Sequence, residues 1–493
     1  NNDHNPKRHL IFHTMERLTF AIGVQPVQPS TPISGPILFS SSGSNSEASG
    51  VGPSTAVVGY DAELDGSSNV DVSSDGVDLS SISVGDLLFC YTSTGRKYSV
   101  IQSIDTTNEI IRTEDLWSVE SMVSWAVGGK RQTLAGSSEI WSNSGQGDGK
   151  GGWVVEMESG FTETFSSQQD FQPEPSEKVF TIRGAKSSAT RPCIYFSNDG
   201  KGFHKANNAF IAFEGFDIKN TNASKTASVA ISNSASLSSV FVRNMKIADA
   251  TNKFYIALDG GSRFGFIVSY SDLGHCVYAA ARGTASQLYG GSFYNTYIHD
   301  CGSYGVFLNS GLAGFRRCVI ANNTLDGLRL GRPFDFSSTD SSGYGANDIS
   351  QSVFYGNGSS GISFSEDLEE GRQITHNIFV SNGSYGIAVG GSKFSLKFSG
   401  ENVNGNAFYD NTTADYTSGM LTVGDVDLLT DPFTDSSTED FSLNSDADGG
   451  AALRDITTII GSTTSYPFNW LTDGSGGSSG GSTFMVPHPL YGN

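Results

Sequence analysis

The stretch "ITHNIFVSNGSYGIAV" (Ile374–Val389) restates an earlier one, "YNTYIHDCGSYGVFL" (Tyr294–Leu308). Each is a short alternating apolar run, a polar corner, a glycine turn and a second apolar run. Taking the apolar residue before each corner as an anchor gives Ile218, Ile247, Tyr270, Ile298, Ile320, Phe354, Phe379 and Phe408. The intervals are 29, 23, 28, 22, 34, 25 and 29 residues. Self-similarity at this period marks a solenoid, in which each coil buries its apolar face against its neighbours. Alternating apolar and polar residues bounded by Gly, Asn and Ser make the unit β. The longest interval holds "GRPFDFSSTDSSGYGANDIS" (Gly331–Ser350), a loop projecting from one coil.

Three residues after the anchors stand Thr221, Ala250, Leu273, Cys301, Asn323, Asn357, Asn382 and Asn411. The last four form a column. Asn accepts the left-handed conformation of a tight corner, and stacked amides make a ladder. The expected structure is therefore all-β, with Asn323, Asn357, Asn382 and Asn411 as a structural ladder.

Composition agrees with that expectation. Gly supplies 59 of 493 residues and charged residues only 16%, against an ordinary value of about 25%. Phe (32) and Tyr (18) are too plentiful for a disordered Gly/Ser polymer. The formal charge of −21 argues against a nucleic-acid partner. Five cysteines without a CxxC pair indicate neither a disulfide framework nor a zinc knuckle. No apolar run reaches the roughly 18 residues of a membrane span. "MERLTFAIGVQPV" from Met15 is a poor secretion signal.

The repeat resembles the right-handed parallel β-helix superfamily of pectate-lyase-like proteins and phage tailspikes, over Phe210–Tyr416. "WAVGGKR" (Trp125–Arg131) is similar to phrases in the compact β module that precedes β-helices in phage and environmental bacterial proteins. The resemblance implies a right-handed parallel β-helix solenoid (136–420) preceded by a small β module (56–135). An extended Pro/Ser/Gly-rich arm (1–55), an irregular cap (421–472) and a Gly/Ser linker with a docking peptide (473–493) complete the expected organisation.

One further column bears on function. With those anchors, the second residue after each is Asn220, Asp249, Asp272, Asp300, Asn322, Gly356, Ser381 and Asp410. Coils are about 4.8 Å apart, so Asp249, Asp272 and Asp300 would form a like-charge ladder needing a shared proton, a bridging cation or splayed side chains. Pectate lyases hold calcium with carboxylates from adjacent coils, and polygalacturonases use an Asp trio. The resemblance thus makes Asp249, Asp272 and Asp300 candidates for Ca2+ or for catalysis, with His299 and His275 near them. Neither family's local catalytic motif appears here. Acidic turns carry Asp for local reasons as well, and that alternative stays open. Arg316, Arg317, Arg329, Arg332 and Tyr344 are candidate contacts for an acidic sugar. Glu366–Arg372 reads as a solvated acidic loop, His376 as a core or ladder histidine, and Tyr304 and Tyr385 as packing residues at one repeat position.

Three functions follow from these readings. The leading one is a structural subunit of a large extracellular assembly: a phage virion decoration, spike or fibre protein on the virion surface, with glycan-facing loops. The others are a polysaccharide lyase or hydrolase of the β-helix type, and a bacterial adhesin or filament subunit. Partners would be further copies or other virion proteins, gripped through the terminal arms. In "FMVPHPLYGN" (Phe484–Asn493) the apolar side chains are costly to leave in water. Deleting this peptide should leave the β-helix folded and weaken assembly, measured by sedimentation of the full and truncated chains.

Overall fold

The computed structural model describes residues 33–471, excluding 136–139, 142–149, 151, 174–177, 186–189, 223–227, 235–238, 261–264, 284–290, 311–312, 333–347, 366–372, 391–402, 418–423 and eight positions from 455 to 470. Three parallel sheets of 11, 11 and 10 strands dominate it. Each coil visits sheet 1, then sheet 2, then sheet 3. The coil built from Ala313–Arg316, Val319–Ala321 and Leu328–Arg332 is typical. Strand order within each sheet follows the coils one after another, the topology of a parallel β-helix.

Sheet 2 carries the anchors. Ile194 pairs with Ile218, Ile247 with Leu273, and Leu273 with Ile298; Ile320, Phe354, Phe379 and Phe408 continue the line. Phe354, Phe379 and Phe408 stack ring on ring at 4.8 and 5.1 Å. Seven of the eight sequence anchors are buried on this line. Tyr270 is the exception and is corrected here: it is 43% exposed, and Leu273 takes its place. Tyr270 sits at the preceding corner, with φ 51°. The alternation "VSYSDL" allows either register by eye. With Leu273 the intervals around it become 26 and 25 residues, closer to the rest.

The corners repeat as strictly as the strands. Between sheets 1 and 2, Gly215, Asn244, Tyr270, Asn295, Arg317, Gln351, His376 and Gly405 all have φ between 45° and 74°. Between sheets 2 and 3, His275, Asp300, Asn322, Gly356, Ser381 and Asp410 have φ between 50° and 59°. L-residues with side chains adopt this region at some cost, and here the stacked coils on both sides hold them in it.

Just past the second corner lies the asparagine ladder. Asn323 Nδ2 donates to Asn357 Oδ1 (2.9 Å), Asn357 to Asn382 (3.0 Å) and Asn382 to Asn411 (2.9 Å). Each acceptor oxygen also takes the backbone N–H of the residue above it. A second ladder at the first corner was not anticipated: Asn377 Nδ2 donates to Asn406 Oδ1 at 3.1 Å, and Ser352 N–H donates to Asn377. Both ladders end on a carboxylate. Asn411 donates to Asp415 (3.1 Å) and the backbone N–H of Asn406 to Asp425 (2.8 Å).

The ends are closed by other parts of the chain. Ile37–Phe39, within the stretch assigned to an extended arm, pairs in parallel with Val154–Met157 and forms the edge of sheet 1. The six strands of a closed barrel lie between them in sequence, from Val57–Leu64 to Glu120–Val127. Arg131 ties the two together: its Nη1 donates to the carbonyls of Asn45 (2.7 Å) and Ala48 (2.6 Å), and its guanidinium lies over Phe89. At the other end, Leu428, Phe433, Phe441, Leu443, Leu453, Phe468 and Leu471 pack in one cluster with Val319, Val353, Ile378 and Val380. These are the outward residues of sheet 2, which is apolar on both faces in its second half and therefore needs a cover. All five cysteines are buried and free. Among the described residues no helix is long and apolar enough to cross a membrane.

Replacing Asn357 by Ala should remove one rung and leave buried backbone groups unpaired, costing about 1–3 kcal/mol. Phe379→Asp should cost more, as an uncompensated buried charge. Denaturant unfolding of both variants against the parent chain measures the difference.

Candidate functional site

Only two residues of strand Tyr297–His299 face outward, Tyr297 and His299, on either side of the inward Ile298. The His299 ring lies back across the preceding coil, and Gly274 is what lets it do so. A Cβ at Gly274 would stand 2.6 Å from His299 Nε2. In that position His299 is held at both nitrogens: Nε2 is 2.8 Å from Asp272 Oδ1 and Nδ1 is 2.7 Å from Asp300 Oδ2. Lys246 Nζ, one coil further, is 3.2 Å from Asp272 Oδ2. Tyr297 stacks flat on the imidazole (4.0 Å, 11°), and Phe441 of the C-terminal cap packs against Tyr297. His275 completes the group, its Nε2 3.8 Å from Asp300 Oδ2 and its ring edge-on to His299 at 5.0 Å.

The electrostatics follow from this packing. Burial works against a charge on His299, but hydrogen bonds to Asp272 and Asp300, and their charges, outweigh it and raise its pKa to about 9. Burial likewise opposes ionisation of Asp272 and Asp300, yet His299 holds both below the ordinary carboxylate range, with help from Lys246 at Asp272. Burial, and then the nearby His299, lower His275. At neutral pH the group is a carboxylate–imidazolium–carboxylate bridge with a neutral histidine beside it. Glycoside hydrolysis by paired carboxyl groups needs one of them protonated, with a raised pKa. Here both are depressed.

The expected aspartate column is corrected by the same register. Asp300 does lie two residues after its anchor, but Asp272 immediately precedes Leu273 and pairs with Lys246 and Tyr297. It reaches Asp300 only through His299. Asp249 turns into its own loop, accepting N–H groups from Thr251 (2.8 Å) and Asn252 (3.3 Å). The three carboxylates do not converge. Among the described residues the set whose donor atoms do lie together, all within 4.8 Å, is His275, His299 and Asp300.

The arginines divide between faces. Arg316 is on sheet 1 beside Gln351 (3.4 Å), and Arg317 at the adjoining corner also reaches Gln351 (3.1 Å). Arg329 is on sheet 3, bonded to Ser363 (2.8 Å) and near Asp326 (3.5 Å). Arg332 ends its strand, its side chain lying outside the described residues, as do Tyr344 and Glu366–Arg372. His376 occupies the first corner, half-buried against Gly405 and Phe468 rather than inward.

One feature escaped the sequence reading. Where the chain turns from sheet 2 into sheet 3, Tyr255 and Tyr278 stack at 5.4 Å and 16°, and Tyr278 meets Tyr304 (5.7 Å) and Phe307 (5.8 Å). The strip runs along consecutive coils and is only half-buried. Beside it Arg282 holds Asp259 with two bonds, 2.8 and 3.3 Å, in the column Asp259, Arg282, Phe307, Arg329. The available signal was Tyr255 and Tyr278, each directly before the sheet 3 segment of its coil.

Residues 227–403 match the family model described as a right handed beta helix region. None of the curated proteins matches the chain. Among solved structures the chain is similar to ORF18 of Geobacillus virus E2, at 13% identity and a TM-score of 0.33, covering 58% of this chain and 54% of that one. It thus spans about half the length of the viral protein. It is also similar to the catalytic unit of a thermostable GH87 alpha-1,3-glucanase from Streptomyces thermodiastaticus strain HF3-3, at 12% identity and a TM-score of 0.26, covering 76% and 86%.

The bridge predicts a pH dependence. A histidine raised from 6.5 to about 9 adds stability that is fully present below pH 6.5 and is lost as pH rises through about 9. For this buried group the amount is on the order of 3 kcal/mol. His299→Gln should flatten the fall between pH 6.5 and 9, read from denaturant unfolding at each pH.

Proposed function

We propose that this right-handed β-helix protein is a structural, glycan-facing subunit of an extracellular assembly, of the kind that decorates or forms the spikes of phage virions. The observation that carries the glycan-facing part is the half-buried aromatic strip of Tyr255, Tyr278, Tyr304 and Phe307 beside Arg282, Asp259 and Arg329. The half-buried rings offer apolar surface against which a sugar can pack, with charged groups at the margin to receive hydroxyls or a carboxylate. Consecutive coils stand about 4.8 Å apart, so aromatic side chains drawn from three of them make an extended site suited to a chain of sugars. The rigid body behind it favours a structural part, since every coil is bonded to the next along three sheets.

Binding fits the nearby chemistry better than cleavage. Asp272 and Asp300 are both held ionised by His299, which leaves that pair without its acid. The test is binding of acidic and neutral polysaccharides to the full chain, followed by calorimetry. Loss of one stacking ring, worth about 1 kcal/mol, should weaken a bound oligosaccharide several-fold in Tyr278→Ala, with no new reducing ends or unsaturated products from the parent. Release of such products, abolished in Asp300→Asn, would make the protein a polysaccharide-degrading enzyme instead. Affinity unchanged in Tyr278→Ala would remove the strip from any glycan site.

A further inference from the structure

We infer that His275, His299 and Asp300 form a binding site for a transition-metal ion of the zinc type. This goes beyond the glycan-facing role and does not depend on it. The three donors come from two adjacent coils. His299 is at the end of its strand, and Asp300 and His275 are at the corner position that follows sheet 2, both with φ 50°. Their donor atoms lie within 4.8 Å of one another. In a tetrahedral zinc site with bonds of about 2.0–2.1 Å, neighbouring donors stand about 3.3 Å apart. Asp300 Oδ2 is 2.7 Å from His299 Nδ1 and 3.8 Å from His275 Nε2, one short and one long of that value. Rotations of two corner side chains would equalise them.

The surroundings supply what such a site requires. Metal-bound histidines hand their second ring N–H to a carboxylate, which fixes the ring and its tautomer. Asp272 stands in that place, 2.8 Å from His299 Nε2, and is steadied by Lys246. Tyr297 below the ring and Gly274 beside it fix the ring plane. The ion would replace the hydrogen bond between Nδ1 and Asp300, leaving the bond to Asp272 intact. Two imidazoles and one carboxylate suit zinc or cobalt. They do not suit calcium, which takes six to eight oxygens. Three protein donors leave a fourth position for water or a ligand.

The test uses the full chain after exhaustive chelation, titrated with Zn2+ by calorimetry and with Co2+ by visible absorption. The chain has eight histidines, so comparison with variants decides. His275→Asn removes a donor while suiting the left-handed corner, and it should abolish one equivalent of Zn2+ binding and the tetrahedral Co2+ band. Asp272→Asn should keep the band and weaken binding 10- to 100-fold. The melting temperature of the parent should rise with Zn2+ and that of folded His275→Asn should not. Zn2+ binding undiminished in His275→Asn, no binding by the parent, or a rise with Ca2+ alone would overturn the site.

Discussion

Everything in this molecule depends on consecutive coils keeping one register. Backbone bonds hold a parallel sheet at one spacing, but they do not by themselves stop a coil from sliding. A slip of one residue would turn every side chain to the opposite face. The corners prevent it. The fold turns at fixed left-handed positions, and just beyond them Ser and Asn side chains bond the preceding coil's backbone: Ser271 Oγ accepts the Met245 N–H and Asn357 Nδ2 donates to the Ile320 carbonyl. In the later coils this becomes a continuous amide ladder, where each Asn Oδ1 accepts both a side-chain and a backbone N–H. Such an oxygen is fully used and buried, so any shifted register would leave it unpaired.

That same stacking builds the surface chemistry. Outward residues at one repeat position form columns, and whatever the sequence places there is brought within about 5 Å of its counterparts. On sheet 2 the outward column changes from Asp217, Lys246 and Asp272 to Tyr297, Val319 and Val353. The change divides the face into a charged half and an apolar half that the cap covers. His299 stands at the boundary, with ionised partners on one side and Tyr297, backed by Phe441, on the other. The bridge is buried enough for its hydrogen bonds to be strong, yet His275 and Asp300 remain at the rim.

Much of the fold was legible in the sequence because its signal is repeated. One phrase with period-2 apolar residues is ambiguous, but eight fix the coil and the anchor line. The Asn323–Asn411 ladder could be read for the same reason. The misplaced anchor at Tyr270 shows the limit: its coil has apolar residues at 268, 270 and 273, and periodicity alone did not choose among them. The site suffered from that single error. With Tyr270 as anchor three aspartates line up, whereas with Leu273 the column reads Asp249, His275, Asp300, and a calcium-like set becomes a histidine-rich one. The second ladder and the docking of the cap on sheet 2 were not legible. Ser271, Thr296, Ser352 and Asn377 share a function without sharing a residue type, and the cap's docking depends on outward apolar residues that look like any other strand.

A solenoid without ends would need no special chemistry, and the two ends here are solved differently. The first coil presents an open sheet edge, which invites pairing with another chain. Ile37–Phe39 occupies that edge on sheet 1, and the barrel inserted after it fixes the strand through Arg131. The last coils present a different problem, because the amide ladders are polarised. Every Asn points its NH2 group toward the C-terminal end, so each ladder finishes in an unpaired donor. Asp415 and Asp425 accept there, and a carboxylate makes a stronger bond to such a donor than a neutral carbonyl does. Burial, with Asp427 and Asp425 close by, raises Asp415 even though Asn411 bonds it. The donor at the ladder's end thus helps keep a charge in a place that otherwise resists one. The carboxylate in turn marks where the ladder stops.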